Sequence, residues 1–79
     1  MVTYFVVNLE DREKFEKKFQ VPYGYYALPF FQTEDGAIGY VEGLKEARRI
    51  HTIVEKWEGG EMKIVYQGQW YSPELDTIH

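Results

Sequence analysis

The stretch TEDGAIGYVEGLKEARRIHTIVEKWEGG, Thr33 to Gly60, decides how this 79-residue chain folds. In its second half Leu44, Ala47, Ile50, Val54 and Trp57 recur every three or four residues, while Lys45, Glu46, Arg48, Arg49 and Glu55 fill the positions between them. That period is the apolar stripe of an α-helix, so the spacing predicts a helix from Leu44 to Trp57, ended by Gly59-Gly60 as a C-cap. In the first half Asp35-Gly36 stands between two β-like runs, Leu28 to Gln32 and Ala37 to Val41. The dipeptide tolerates the positive φ of a tight turn, which predicts a β-hairpin.

Upstream, Val2 to Val7 is an unbroken β-branched and aromatic run that reads as a strand. Asn8 follows as a helix cap, and Leu9 to Phe19 reads as a helix with a narrow apolar stripe of Leu9, Phe15 and Phe19. Glu10 with Lys14 and Glu13 with Lys17 are i,i+4 pairs in the favourable order. The uncharged run QVPYGYYALPFFQT, Gln20 to Thr33, begins as a loop and becomes a strand near Tyr26, with Pro29 marking it as an edge strand or a bulge. Downstream, Met62, Ile64 and Tyr66 alternate with Lys63, Val65 and Gln67 as a strand that extends past Gly68 toward Trp70 and Tyr71, and Ser72-Pro73-Glu74 starts a short helical turn. The expected order is β-α-β-β-α-β within one domain, 1–79, carrying a short tail at 72–79. Right-handed crossovers fold that order into an α+β, ferredoxin-like sandwich: a four-stranded, mostly antiparallel sheet with both helices on one face.

Composition narrows the function classes. There is no cysteine, so stability rests on burying the 44% of residues that are apolar rather than on disulfides or a thiolate metal site. The longest uncharged stretch is too short for a bilayer span and carries prolines, and MVTYFVV lacks a basic leader, which predicts a soluble, cytoplasmic protein that does not enter a membrane. Asn8 and Ser72 are the only residues of their types, and charged residues are plentiful, a thermophile-like balance. The net charge of −4 disfavours nucleic acid as a partner, because nonspecific affinity for it comes from Lys and Arg displacing counterions.

Catalytic chemistry finds little to work with. A lone Ser72 before a proline makes no nucleophilic triad. His51 and Glu55 fall i,i+4 on the expected helix, and with His79 they are too few for a metal site; His51 reads as a flank of the apolar stripe and Glu55 as solvated. Glu10-Asp11 and Glu34-Asp35 are explained by a helix start and a turn. We therefore expect no catalytic residue, no metal and no cofactor.

The aromatic cluster is the stronger signal. Tyr23, Tyr25, Tyr26, Phe30 and Phe31 crowd into nine residues, too densely for all to point inward from a strand whose side chains alternate. They are the expected contact residues for a protein partner or for a second copy in a homo-oligomer, since tyrosine adds contact area at small entropic cost. The competing reading is a loop folded back over the core, shielding the sparse face of the first helix.

Two runs resemble the paired motifs of RNA-recognition-motif (RRM) domains. YFVVNL, Tyr4 to Leu9, resembles the shorter motif, and IGYVE, Ile38 to Glu42, resembles the core of the longer one. Gly36 and Gly43 stand where that family places a basic and an aromatic residue. The resemblance implies a sheet whose Phe5 and Tyr40 stack on bases of single-stranded RNA, assisted by a cation such as Lys63.

Overall fold

The computed structural model describes residues 1–68 and shows an α+β fold. Strand β1 (Val2–Asn8) leads directly into helix α1 (Leu9–Phe19); a single 3₁₀ turn at Tyr25–Ala27 precedes strand β2 (Phe30–Phe31). Helices α2 (Glu34–Glu42) and α3 (Glu46–Arg49) follow, then strands β3 (Thr52–Glu58) and β4 (Glu61–Gln67). The sheet is antiparallel throughout, in the order β2-β1-β3-β4. Among the described residues no helix is long and apolar enough to cross a membrane.

The amino-terminal half follows its sequence closely. Asn8 caps α1, its Oδ1 accepting the Asp11 N–H at 2.9 Å, and Glu10 and Asp11 occupy the first turn while Lys17 and Lys18 occupy the last, complementing the helix dipole at both ends. Lys14 Nζ reaches Glu10 Oε1 at 3.2 Å, the expected i,i+4 pair. Pro29 precedes an edge strand, as its missing N–H requires, and its carbonyl accepts the Val6 N–H at 3.0 Å. The chain is not extended at Tyr26, however: Tyr25–Ala27 coil into the 3₁₀ turn and only Phe30–Phe31 pair with β1.

Between Thr33 and Gly60 the observed elements differ from the expected ones at each step. Asp35-Gly36 is not a hairpin turn but the first turn of α2, where Thr33 Oγ1 accepts the Gly36 N–H at 3.1 Å. A threonine cap followed by two acidic residues is also a helix start, and that reading wins because Ala37 and Val41, four apart, bury one face of the resulting helix completely. The run Ala37 to Val41 is therefore helical rather than a third strand. The expected Leu44–Trp57 helix survives only as the four residues of α3; from Thr52 the chain is the central strand β3, paired along its whole length with β1 from Val2↔Glu58 to Asn8↔Thr52. The β-branched run Thr52-Ile53-Val54 and the neighbouring strand override the helical period. Gly59 and Gly60 are not a helix cap; with φ of 59° and 83° they form the tight turn joining β3 to β4, a conformation that glycine adopts without strain. The strand from Met62 to Gln67 stands where expected, and the readings for Trp70, Tyr71 and the tail 72–79 lie outside the described residues.

The resulting order, β-α-β-α-α-β-β, departs from the ferredoxin-like β-α-β-β-α-β order in both element sequence and strand order. It also divides the helices between the two faces of the sheet instead of placing them on one. On the first face Tyr4, Val6 and Val54 are buried beneath Ala37 and Val41 of α2, with Val2, Phe31, Val65 and Tyr66 packed around them. On the second face Val7, Ile53 and Leu28 are buried, surrounded by Phe5, Leu9 at the start of α1, Tyr23, Tyr25 and Ile64. Alternation along β1 and β3 sends successive residues to opposite cores, so β1 is apolar on both sides from Tyr4 to Val7, as buried strands are, and β3 is so at Ile53 and Val54. A bulge in β4 opposite Val54 and Glu55 turns both Val65 and Tyr66 toward the first core and Ile64 toward the second. At the strand's end Gly68 donates its N–H to the Thr52 carbonyl at 2.8 Å and runs so close to Arg49 that a Cβ would collide with the Arg49 carbonyl oxygen.

Candidate binding cleft on the second sheet face

The second face carries the feature that the sequence concealed. Glu55, in the middle of β3, is only 2% exposed. On a strand its side-chain neighbours are Ile53 and Trp57, and its cross-strand partner is Phe5. A carboxylate in such surroundings needs partners, and it has three. One oxygen, Oε1, accepts both the Tyr25 hydroxyl at 2.8 Å and the Trp57 indole N–H at 3.2 Å; the other, Oε2, lies 3.5 Å from the Arg12 guanidinium, which α1 brings over the sheet. Among the described residues no buried side-chain polar atom is left without a partner. Burial raises the Tyr25 hydroxyl pKa above the ordinary tyrosine value, and the hydrogen bond to Glu55 raises it further, because both favour the neutral phenol.

Glu55 thereby fixes two rings that stand above it. Tyr25 meets Phe5 edge-on, with centroids 5.0 Å apart and planes at 63°, and meets Trp57 at 5.5 Å and 74°. Phe30 stands 6.4 Å from Phe5 on the edge strand and is 65% exposed. These rings line two adjoining open clefts that share Thr3, Phe5 and Tyr25: one of about 350 Å³ running to Trp57, Glu58 and the Gly59-Gly60 turn, and one of about 260 Å³ closed by Phe30. No protein-family model matches this chain, and no curated protein or solved structure does either.

The five aromatic residues singled out from the sequence therefore separate. Tyr25 and Phe30 face the cleft. Tyr23 turns inward, its ring 5.0 Å from that of Phe15 on α1 and its N–H held by Glu16 Oε2 at 3.0 Å, so the loop does fold back to shield the sparse helix face. Phe31 packs in the first core, and Tyr26 sits on the 3₁₀ turn. The structure does not bring Phe5 and Tyr40 together: Phe5 lines the cleft, whereas Tyr40 stands on α2 with its ring 5.5 Å from Phe31 on the first face. Lys63 is exposed on β4, paired with Lys56 and remote from Phe5 in the ladder.

His51 and Glu55 do not share a helical face. His51 lies in the turn before β3, where its Nε2 is 3.5 Å from Glu10 Oε2. Among the described residues no three His, Asp or Glu side chains gather as a metal ion would need. Sequence reasoning missed Glu55 and Trp57 because it laid both on a helix. The available signal was the alternation Ile53, Glu55, Trp57, which on a strand sets one carboxylate between two large apolar side chains. A second polar group, Asn8, Asp11, Arg48 and Thr52, ties the ends of β1 and β3 to α3: Arg48 Nη2 donates to Asp11 Oδ2 at 2.6 Å, and Thr52 Oγ1 donates to the Arg48 carbonyl at 2.7 Å. Every member of that group is engaged with another, which marks it as a clasp between elements.

Proposed function

We propose that the chain is a non-catalytic interaction module that engages a polypeptide, a protein partner or a second copy of itself, through the aromatic cleft of the second face. The observation that carries this reading is Phe30, a large apolar side chain held 65% exposed at the sheet edge beside Phe5 and Tyr25. Exposed aromatic surface of this kind, next to half-buried rings, is what protein interfaces use as anchors. Backbone supports it as well. Strand β2 covers β1 only at Tyr4 and Phe5, so among the described residues Val2 has no ladder partner on that side, and an extended segment could pair there while placing a side chain in the cleft.

Selection from a random peptide display library, with Phe30→Ser as counter-selection, tests the reading. Phe30 is exposed, so the variant is expected to melt as the parent does while losing about ten-fold or more in affinity for the selected peptides. Sedimentation at rising concentration reads the second-copy case through a mass increase that Phe30→Ser abolishes. Peptides that bind parent and variant equally, or no selection at all together with a concentration-independent monomer, overturn the proposal. Single-stranded oligonucleotides run beside the library decide for RNA instead if they alone shift the Phe5 resonances.

A further inference from the structure

We propose that the cleft receives an alkylated ammonium group, such as a methylated lysine side chain presented by the polypeptide partner; the inference rests on the cleft being the binding surface and specifies what enters it. Three features of the geometry point there. The ring planes meet at 63° and 74°, so neighbouring rings form corners rather than parallel walls. Corners of π faces surround a rounded cation and suit a flat base or guanidinium poorly, since those stack face to face.

The polar atoms of the rings are already committed. The Tyr25 hydroxyl and the Trp57 N–H both point down to Glu55, so neither is turned toward a ligand. A primary ammonium entering this cleft would lose water from three N–H donors with little to replace it, whereas alkylation removes donors and weakens hydration while keeping the charge. Charge completes the match. Arg12, brought over the sheet by α1, balances Glu55, and Glu58, which borders the larger cleft, lies 3.8 Å from Lys56 Nζ, on a chain whose net charge is −4. A cation is attracted by the ring faces and by the net negative charge of the chain, whereas phosphate or a carboxylate ligand is repelled. Glu55 is then a positioning residue: it touches no ligand, yet it holds two of the three rings at the angles that make the corners.

The test follows the Trp57 indole N–H and the Thr3 amide by NMR during titration with tetramethylammonium chloride, then with one short peptide carrying trimethyllysine, lysine or a neutral tert-butyl isostere at the same position. Saturable shifts confined to Thr3, Phe5, Tyr25 and Trp57 are expected, with trimethyllysine bound about five-fold or more tightly than the neutral isostere. Glu58→Gln, which also releases the Lys56 ammonium, is expected to weaken it about two- to three-fold. Glu55→Gln keeps an acceptor under both rings but leaves Arg12 unbalanced; if it disturbs folding, Thr3→Lys at the cleft mouth is the second variant, placing a competing ammonium there and abolishing the shifts. Equal affinity for the neutral isostere, or shifts outside the cleft, overturns the inference. If the alkylammonium probes fail while library peptides still bind in a Phe30-dependent way, the cation preference falls and the interaction module stands; if neither binds, both fall.

Discussion

The two faces of the sheet solve the same problem by different means. Beneath α2 the first face is closed by Tyr4, Val6, Val54, Ala37 and Val41, with no charged group in the cluster. The second face has Val7, Leu28 and Ile53 as its buried apolar residues, and completes itself with half-buried aromatic rings around a buried carboxylate. A face covered by apolar side chains from a helix needs only to exclude water. A face covered by a loop must orient what the loop supplies, and here Glu55 does so through directional hydrogen bonds that packing alone does not provide. The orientation comes with openness, because rings held on edge leave corners between them. The cleft therefore forms on the face that α1 and the 23–28 loop, rather than α2, cover.

Moving the carboxylate by one residue along β3 is expected to have the largest effect. Val54→Glu puts the same group on the first face, where the surrounding cluster holds no indole or guanidinium, and is expected to cost about 4 kcal/mol or more, leaving no cooperative unfolding transition in urea. A variant that remains folded with a normal melting temperature would show that the two faces are equally tolerant. A smaller effect is expected at Tyr25→Phe, which keeps the ring but removes one donor from a buried carboxylate: about 1.5 kcal/mol in denaturant unfolding, with Trp57 and Arg12 still holding Glu55.

The smallest effect is a pH dependence of that difference. Because the folded state raises the Tyr25 pKa, the stabilisation from its neutral hydroxyl is fully present below the unfolded tyrosine value of about 10 and is lost as pH rises through the higher folded value. The stability gap between the parent and Tyr25→Phe should therefore be constant from neutral pH to about 10 and close above it. A gap that widens above that point would contradict the hydrogen-bonding direction assigned to the pair.

What the sequence made legible were the elements whose local signals agree with one another. The run from Val2 to Val7, the Asn8 cap and the charge order of α1 all point one way, and β4 shows its alternation openly. Thr33 to Gly60 conceals itself because its residues satisfy two periods at once. Ile50, Val54 and Trp57 are spaced for a helix, yet Ile53, Glu55 and Trp57 are equally spaced for a strand, and only pairing with β1, far away in the chain, chooses between them. Glu34-Asp35-Gly36 likewise fits a turn or a helix start until Ala37 and Val41 find a sheet face to bury against. The candidate site was legible in half: Tyr25, Phe30 and Phe5 were named from aromatic density and motif resemblance, whereas Glu55 and Trp57 depended on the misread strand.

The bulge at Val65 has a meaning for how this chain can change over generations. Loss of one codon elsewhere in β4 would give new partners to the residues between the lost one and the bulge. Loss of the Val65 codon would leave Ile64 opposite Glu55 and Tyr66 opposite Val54, as they are now, and would convert the bulge into a regular ladder. Val65 is thus the position in β4 where a gene could shorten by one triplet without scrambling which side chain meets which core.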